Sequence, residues 1–273
     1  MLNPPALLPA WMAGRPVIGV LHVPALPGAP ANTLNFQEIR EFVTRDAEAY
    51  ASGGIDALIL ENFGDVPFYP DRVPPETVAF LTALACEIRA SFPQPLGINV
   101  LRNDGESALA VAIASGAAFI RVNVYTGARV ADQGILQGRA HAIQRLKRAL
   151  GSGVLVFADV AVKHSAPLGE RALEDEVEDT VQRALADAVI VTGEATGKPA
   201  SLDALRTARA AAHGAPVFVG SGARKDTIAE LLTAVDGVIV GSALKLNGQV
   251  ANAVDAERVR RFMDNVRASR ECA

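Results

Sequence analysis

The sequence predicts an α/β fold, a single (β/α)8 barrel of the TIM type over residues 1–273, with the first strand from about residue 17 and the last helix to about residue 270. Three observations predict it. Eight short runs rich in Val, Ile, Leu and Phe recur along the whole chain, and each is followed by a stretch of helical period. A length of 273 residues suits such a barrel as one domain. No composition shift or linker marks a second domain.

The runs are 17–21, 55–60, 96–100, 118–123, 154–159, 188–192, 216–220 and 237–241. Several are almost continuously apolar, as strands buried on both faces of a parallel sheet must be. A doubly wound sheet is the alternative, but it seldom has eight evenly spaced units. Among the helical stretches, 36–52 carries Ile39, Val43 and Ala47 on one stripe, with charges opposite. Stretch 75–91 opens on a proline suited to a first turn and holds Val78, Leu81, Leu84 and Ile88. Stretches 105–115, 138–150, 170–185, 201–213, 225–235 and 255–270 follow the same logic, with Ser201 placed to cap its helix. Turn phrases recur before strands: Ser-Gly-Gly-Ile-Asp at 52–56, Ser-Gly-Ala-Ala-Phe at 115–119 and Ala-Val-Asp-Gly-Val at 234–238. In each, a helix ends, the chain turns on Gly or Asp, and a strand begins.

Half of the residues are hydrophobic, 21% are charged, and the net charge is −4. That apolar share excludes a disordered chain, and the absence of a Lys/Arg block argues against nucleic acid as a partner. Cys86 and Cys272 stand far apart and offer neither a disulfide framework nor a zinc knuckle, which suits a reducing cytosol. No basic leader precedes Pro16, and the longest apolar runs are strand-sized. The expectation is a cytoplasmic protein with neither signal peptide nor membrane span.

Active sites of such barrels lie at the C-terminal ends of the strands. The first run ends in His22, the second in Glu61-Asn62 followed by Phe63-Gly64-Asp65, and the third in Asn99. The fourth offers Arg121 and Asn123, which share a parity and so a face. The fifth ends in Asp159, with Lys163 and His164 just beyond, and the sixth in Thr192, followed by Glu194 and Thr196. Six consecutive polar strand ends are costly to bury unless they pair or bind something. A mutual hydrogen-bond network is the competing reading.

The last two runs end in Gly220-Ser221-Gly222 and Gly241-Ser242. These leave backbone N–H groups uncovered, and 242–247 is expected to form a short extra helix. Together they read as a site for phosphate or a similar anion. Of five lysines, all but Lys147 follow a strand: Lys163, Lys198, Lys225 and Lys245. Lys225 is expected in the first turn of its helix. A desolvated Lys163 can act as a base or Schiff-base nucleophile, although charge pairing with Asp159 or Glu61 is the plainer expectation. His22 reads as an acid/base group, a metal ligand or a hydrogen-bonded wall residue. With Glu61, Asp159 and His164 it offers a mixed N/O set for a divalent ion such as Mg²⁺. No tight ligand spacing supports that set, so no residue is assigned to a metal, and a divalent ion such as Mg²⁺ is left open as the one cofactor considered. His141 and His213 fall on a helix and on the loop entering the seventh strand, away from the mouth.

Glu61 and Asp159 can divide acid and base roles, and Arg121 needs one of them, or a substrate anion, as its buried partner. The candidate catalytic set is therefore Glu61, Asp159, Lys163, His164 and His22. The candidate substrate-binding set is Asn62, Asn99, Arg121, Asn123, Thr192, Gly220, Ser221, Gly222, Gly241 and Ser242. Segments 63–72 and 124–137 are long for such loops and read as lids, with Tyr69 and Tyr125 either closing over a substrate or packing the rim.

The motifs resemble those of the BtpA family, which includes SgcQ-type proteins. They are Val-Ile-Gly-Val-Leu-His-Val-Pro-Ala-Leu-Pro-Gly-Ala-Pro (17–30) and Gly-Gly-Ile-Asp-Ala-Leu-Ile-Leu-Glu-Asn-Phe-Gly-Asp-Val-Pro-Phe (53–68). Phe-Ile-Arg-Val-Asn-Val (119–124), Asp132-Gln133-Gly134, Ala-Asp-Val-Ala-Val-Lys-His (158–164), Val-Gly-Ser-Gly (219–222) and Ile-Val-Gly-Ser-Ala-Leu-Lys (239–245) continue the pattern. The resemblance covers nearly the whole chain. It implies a barrel related to the ribulose-phosphate-binding group. It also implies a link to photosystem I biogenesis or to sugar metabolism, while leaving the reaction open. The resulting expectation is an enzyme acting on a phosphorylated sugar or phosphoribosyl compound by acid/base chemistry, as an isomerase, epimerase, lyase or nucleosidase-like hydrolase. The alternatives are a non-catalytic photosystem I biogenesis or stability factor and a sugar-phosphate sensor. The expected partner is a phosphorylated small molecule, and association into a homo-oligomer is left open.

Overall fold

The computed structural model describes residues 8–193 and 200–271. Glu194, Thr196, Lys198 and Cys272 lie outside them. Eight parallel strands close into a barrel. They are β1 (Val17–His22), β2 (Ala57–Glu61), β3 (Leu96–Asn99), β4 (Phe119–Val122), β7 (Leu155–Val160), β9 (Ala188–Val191), β10 (Val217–Val219) and β11 (Gly237–Val240). The order around the barrel follows the chain, and β11 pairs back onto β1. Each of the eight apolar runs coincides with one of these strands to within a residue or two at either end. The outer layer is α1 (Phe36–Gly53), α2 (Pro75–Ser91), α3 (Gly105–Ser115), α4 (Ala140–Ala149), α5 (Leu173–Glu178), α6 (Leu202–Ala211), α7 (Ile228–Ala234) and α8 (Ala256–Glu271). None of these helices is long and apolar enough to cross a membrane.

Side chains alternate between the two faces of each strand. Val17, Leu21, Leu58, Leu60, Ile98, Ile120, Val156 and Val238 face outward and pack with the helices. Ile18, Val20, Ile59, Phe119, Phe157, Ile190, Phe218 and Ile239 fill the barrel. A 3-10 turn at Ala10–Met12 lays Trp11 across the lower end, stacked on Phe119 with ring centres 5.7 Å apart. The lower barrel is thus a packed apolar plug, and polar groups are confined to the upper rim.

The turns before strands work as the sequence implies. Asp56, Asp187 and Asp236 each accept an N–H at the start of the preceding barrel strand, from Val17, Val156 and Val217 at 2.8, 2.8 and 2.9 Å. Ser201 caps α6 by accepting from the Ala204 N–H at 3.1 Å.

Four expectations are corrected. Segment 124–137 is largely a hairpin, β5 (Ala128–Ala131) and β6 (Gly134–Gln137), turned by Asp132-Gln133. A third short strand, β8 (Ser165–Pro167), pairs antiparallel with β5. A two-residue turn between short alternating runs is hairpin grammar. The fifth helix stops at Glu178 and continues as a π-helical turn, Asp179–Arg183. Helix α7 starts only at Ile228, so Lys225 precedes it. The extra helix at 242–247 is two 3-10 turns, Ser242–Leu244 and Leu246–Gly248, with Asn247 in left-handed backbone at φ 56°.

Candidate functional site

The inward parity that fills the barrel also aims the residue at, or one position either side of, each strand's end upward and in. That gathers His22, Glu61, Asn99, Arg121, Asp159, Thr192, Gly220 and Gly241 into one ring. Over it lies a two-lobed cleft. The first lobe, about 460 Å³, is walled by the 220–226 and 241–243 segments, His22 and Arg258. The second, about 410 Å³, is walled by Arg102, Asn123, His164 and the hairpin tip at Asp132-Gln133. Glu61, Phe63, Arg121 and Lys163 line both. These volumes suit a small metabolite.

Arg121 is the electrostatic centre. Its Nε donates to Asp159 Oδ1 at 2.8 Å and its NH2 to Oδ2 at 2.9 Å. Its NH1 stands 4.0 Å from Glu61 Oε2. Burial works against the guanidinium charge, but Asp159 at bonding distance more than offsets it, so the Arg121 pKa is raised. Asn123 donates to Asp159 Oδ2 at 3.0 Å, and Asn99 donates to Asn123 Oδ1 at 3.2 Å. Both oxygens of Asp159 are therefore engaged, and it lines neither lobe. Its place is that of a seat for Arg121.

Lys163 is held by its backbone. Its N–H donates to Thr192 Oγ1 at 3.1 Å, and Thr192 Oγ1 donates to the Ala161 carbonyl at 3.0 Å. The expected charge pair with Asp159 or Glu61 does not form; among the described residues Lys163 has no ion pair. Burial, and then the nearby Arg121 charge, lower its pKa. Burial also lowers that of His164, with Lys163 and Arg102 adding to the effect.

His22 sits edge-on to Phe63, with ring centres 4.9 Å apart. Burial, reinforced by Lys245, Lys163 and Arg121, pushes its pKa down to about 3, so the ring is neutral at ordinary pH. Its Nδ1 is buried without a hydrogen-bond partner among the described residues. Gly241 makes room for it: a β-carbon at 241 would stand 2.6 Å from the His22 Cε1.

Among the described residues, no three His, Cys, Asp or Glu side chains converge as a metal cluster. The mixed set of His22, Glu61, Asp159 and His164 is thus not assembled, because Asp159 is turned to Arg121 and Asn123.

The first lobe has the donors an anion needs. The N–H groups of Ser221, Gly222, Ala223, Ser242 and Ala243 donate no hydrogen bond among the described residues. Ser221 Oγ is buried without a partner among the described residues. Lys225 and Arg258 add charge at the wall.

Other candidates turn out to be framework. Asn62 accepts from the Leu101 N–H at 2.7 Å and donates to Asp65 Oδ2 at 3.0 Å, clasping two loops together outside both lobes. Asn99 and Thr192 likewise support the cleft from behind its lining. Lys245 is fully buried and binds Asp46 Oδ2 and the Asn252 carbonyl, each at 3.0 Å, so it is not on the active face. Tyr125 is buried, its hydroxyl donating to the Ala184 carbonyl at 2.7 Å, and cannot close over a substrate. Tyr69 is exposed and lines neither lobe.

Sequence reasoning missed Arg102 and Arg258 and misplaced Lys225. Arg102 stands just past the third run, so extending the strand-end search a few residues finds it. Arg258 lies on the first turn of α8 and is signalled only by closure of the barrel.

The arrangement has counterparts. The model of the BtpA family matches residues 13–268. The Photosystem I biogenesis protein BtpA of Synechocystis is 45% identical over 258 residues, covering 94% of this chain and 90% of its own. An uncharacterized protein of Thermococcus kodakarensis is 44% identical, covering 94% and 97%. Among solved structures, N-(5'-phosphoribosyl)anthranilate isomerase from Pyrococcus furiosus superposes with a TM-score of 0.56 at 15% identity, covering 92% of this chain and 98% of its own. That likeness establishes a shared barrel fold. The family match runs from before the first barrel strand into the last helix and takes in every residue that walls the cleft, and on it the chain belongs to the BtpA family.

Proposed function

We propose that the cleft binds a phosphorylated sugar or phosphoribosyl compound and performs acid/base chemistry on it, as an isomerase, epimerase, lyase or nucleosidase-like hydrolase. One observation carries the reading. A single cleft joins a cradle of N–H groups unpartnered among the described residues, with Ser221 Oγ, Lys225 and Arg258, to a wall holding Glu61 and the desolvated Lys163. The phosphate rests on the 220–223 and 241–243 segments. The sugar then lies over Glu61, Lys163 and Arg121.

Lowering the Lys163 pKa enlarges its neutral fraction, which suits a base or an imine-forming nucleophile. Glu61 exchanges the second proton. Arg121, fixed by Asp159, faces negative charge developing on an enolate or leaving oxygen. Neutral His22 binds a substrate hydroxyl or carbonyl. Asn123 and His164 border the far end. The same reading places the protein in the cytoplasm, where sugar phosphates are used.

The test is a melting-temperature screen of sugar phosphates, nucleotides and their unphosphorylated analogues, with and without Mg²⁺. A ligand at about 100 times its Kd stabilises by about 2.7 kcal/mol. Stabilisation by phosphorylated members alone supports the reading, and a further rise with Mg²⁺ reopens a metal site. No response favours a second reading, a non-catalytic assembly factor, which the name of the 45% identical Synechocystis relative supports.

A further inference from the structure

The second lobe holds a buried cation, Arg102, that has no ion pair among the described residues. Arg102 is 8% exposed and lines this lobe. One terminal nitrogen donates to the Lys163 carbonyl at 3.0 Å, a neutral acceptor. Among the described residues no carboxylate reaches ion-pair distance of it, whereas Arg121 has Asp159 at 2.8 Å. A guanidinium has five N–H donors in a planar fork; among the described residues the rest of this side chain's donors are unused. Removing an ion from water without a counter-ion is unfavourable, and burial pulls the Arg102 pKa down. The side chain of Lys163 lines the same lobe, also without an ion pair among the described residues. Gln133 adds a buried Oε1 with no partner among the described residues. Asp132 borders the lobe too, but it is exposed at the hairpin tip and accepts from the Gln133 amide.

A carboxylate fits the guanidinium fork with two parallel hydrogen bonds. We propose that the second lobe is a carboxylate site, so that the ligand is a phosphorylated acid, with phosphate in the first lobe and carboxylate on Arg102. The proposal rests on the phosphate reading of the first lobe. With both ends held, Glu61, Lys163 and Arg121 face the middle of the molecule, and the orphan Gln133 oxygen accepts from a hydroxyl near the acid end.

The probes are 6-phosphogluconate and sorbitol 6-phosphate, which differ only in a carboxylate against a hydroxymethyl group at the end remote from phosphate. Titration calorimetry on the full chain is expected to give at least tenfold tighter binding of the acid. Arg102→Gln is expected to erase that preference, bringing the acid to the affinity of the alcohol. Equal affinity in the native protein, a comparison that needs no variant, overturns the carboxylate site and leaves the phosphate reading intact. Binding of neither probe also overturns it. If ribose 5-phosphate still raises the melting temperature, the carboxylate site alone falls. If no phosphorylated compound does, the phosphate reading falls with it.

Discussion

Asp159 grips Arg121 at two points, Nε on Oδ1 at 2.8 Å and NH2 on Oδ2 at 2.9 Å, with both side chains buried. Removing one partner strands the other charge. Arg121→Met is expected to cost about 3–5 kcal/mol in urea unfolding, and Arg121→Met with Asp159→Leu to recover much of it. A single-variant loss below about 1 kcal/mol contradicts the central role given to this pair.

His22 makes acid stability a second test. Its folded pKa is depressed to about 3 from 6.5, so below 6.5 the unfolded chain takes up a proton that the folded chain refuses. The contribution is absent above pH 6.5, and stability is lost as pH falls from 6.5 towards 3. The slope is at most about 1.4 kcal/mol per pH unit. His22→Asn is expected to flatten the curve of unfolding free energy against pH over that window. Parallel curves for the two proteins rule out a depressed His22.

Lys163 is expected to titrate below the ordinary lysine value of 10.5, because burial and then Arg121 disfavour its charge. Its charged form burdens the folded state below the lowered pKa, and that burden lifts as pH rises through it. Carbon-13 NMR of the reductively methylated protein measures the midpoint directly, with Lys163→Met assigning the signal. A midpoint at or above 10.5 removes the case for a neutral amine.

The anion cradle predicts a charge-specific defect. Ser221→Asp and Ser242→Asp each place a carboxylate where the N–H groups of 221–223 and 242–243 face the first lobe. Both are expected to weaken any phosphorylated ligand at least about tenfold, the effect of roughly 1.4 kcal/mol, while its unphosphorylated analogue is unaffected. Calorimetry on the same compound pair decides, and unchanged phosphate affinity in both variants sinks the cradle.

The barrel and its polar rim were legible because strand parity is a strict rule. Once Ile18 and Val20 point inward, His22 must; once Phe119 does, Arg121 must. The same parity carries Glu61, Asp159 and Gly241 to the mouth. Loop residues obey no such period. Lys245 looked like a mouth residue, but its chain runs down to Asp46, 199 positions away in sequence. Asn62 follows Glu61, but it points to the neighbouring loop and binds Leu101. Arg102 lies within reach of a wider strand-end search, but that its guanidinium meets the Lys163 carbonyl shows only in the fold. The hairpin at 128–137 carried its turn signal in Asp132-Gln133-Gly134, yet long loops invite reading as lids.

Strand β8 pairs with β5, so the excursion after β4 and the one after β7 are hydrogen-bonded into one body. Arg129 reinforces the join, donating to Ser165 Oγ at 2.8 Å. The tip that carries Gln133 and the stretch that carries Lys163 and His164 are therefore tied together by one small sheet. Anyone re-engineering this cleft must transplant the two excursions as a matched pair, since a loop graft at either one alone breaks a sheet and misaims the lysine on the other.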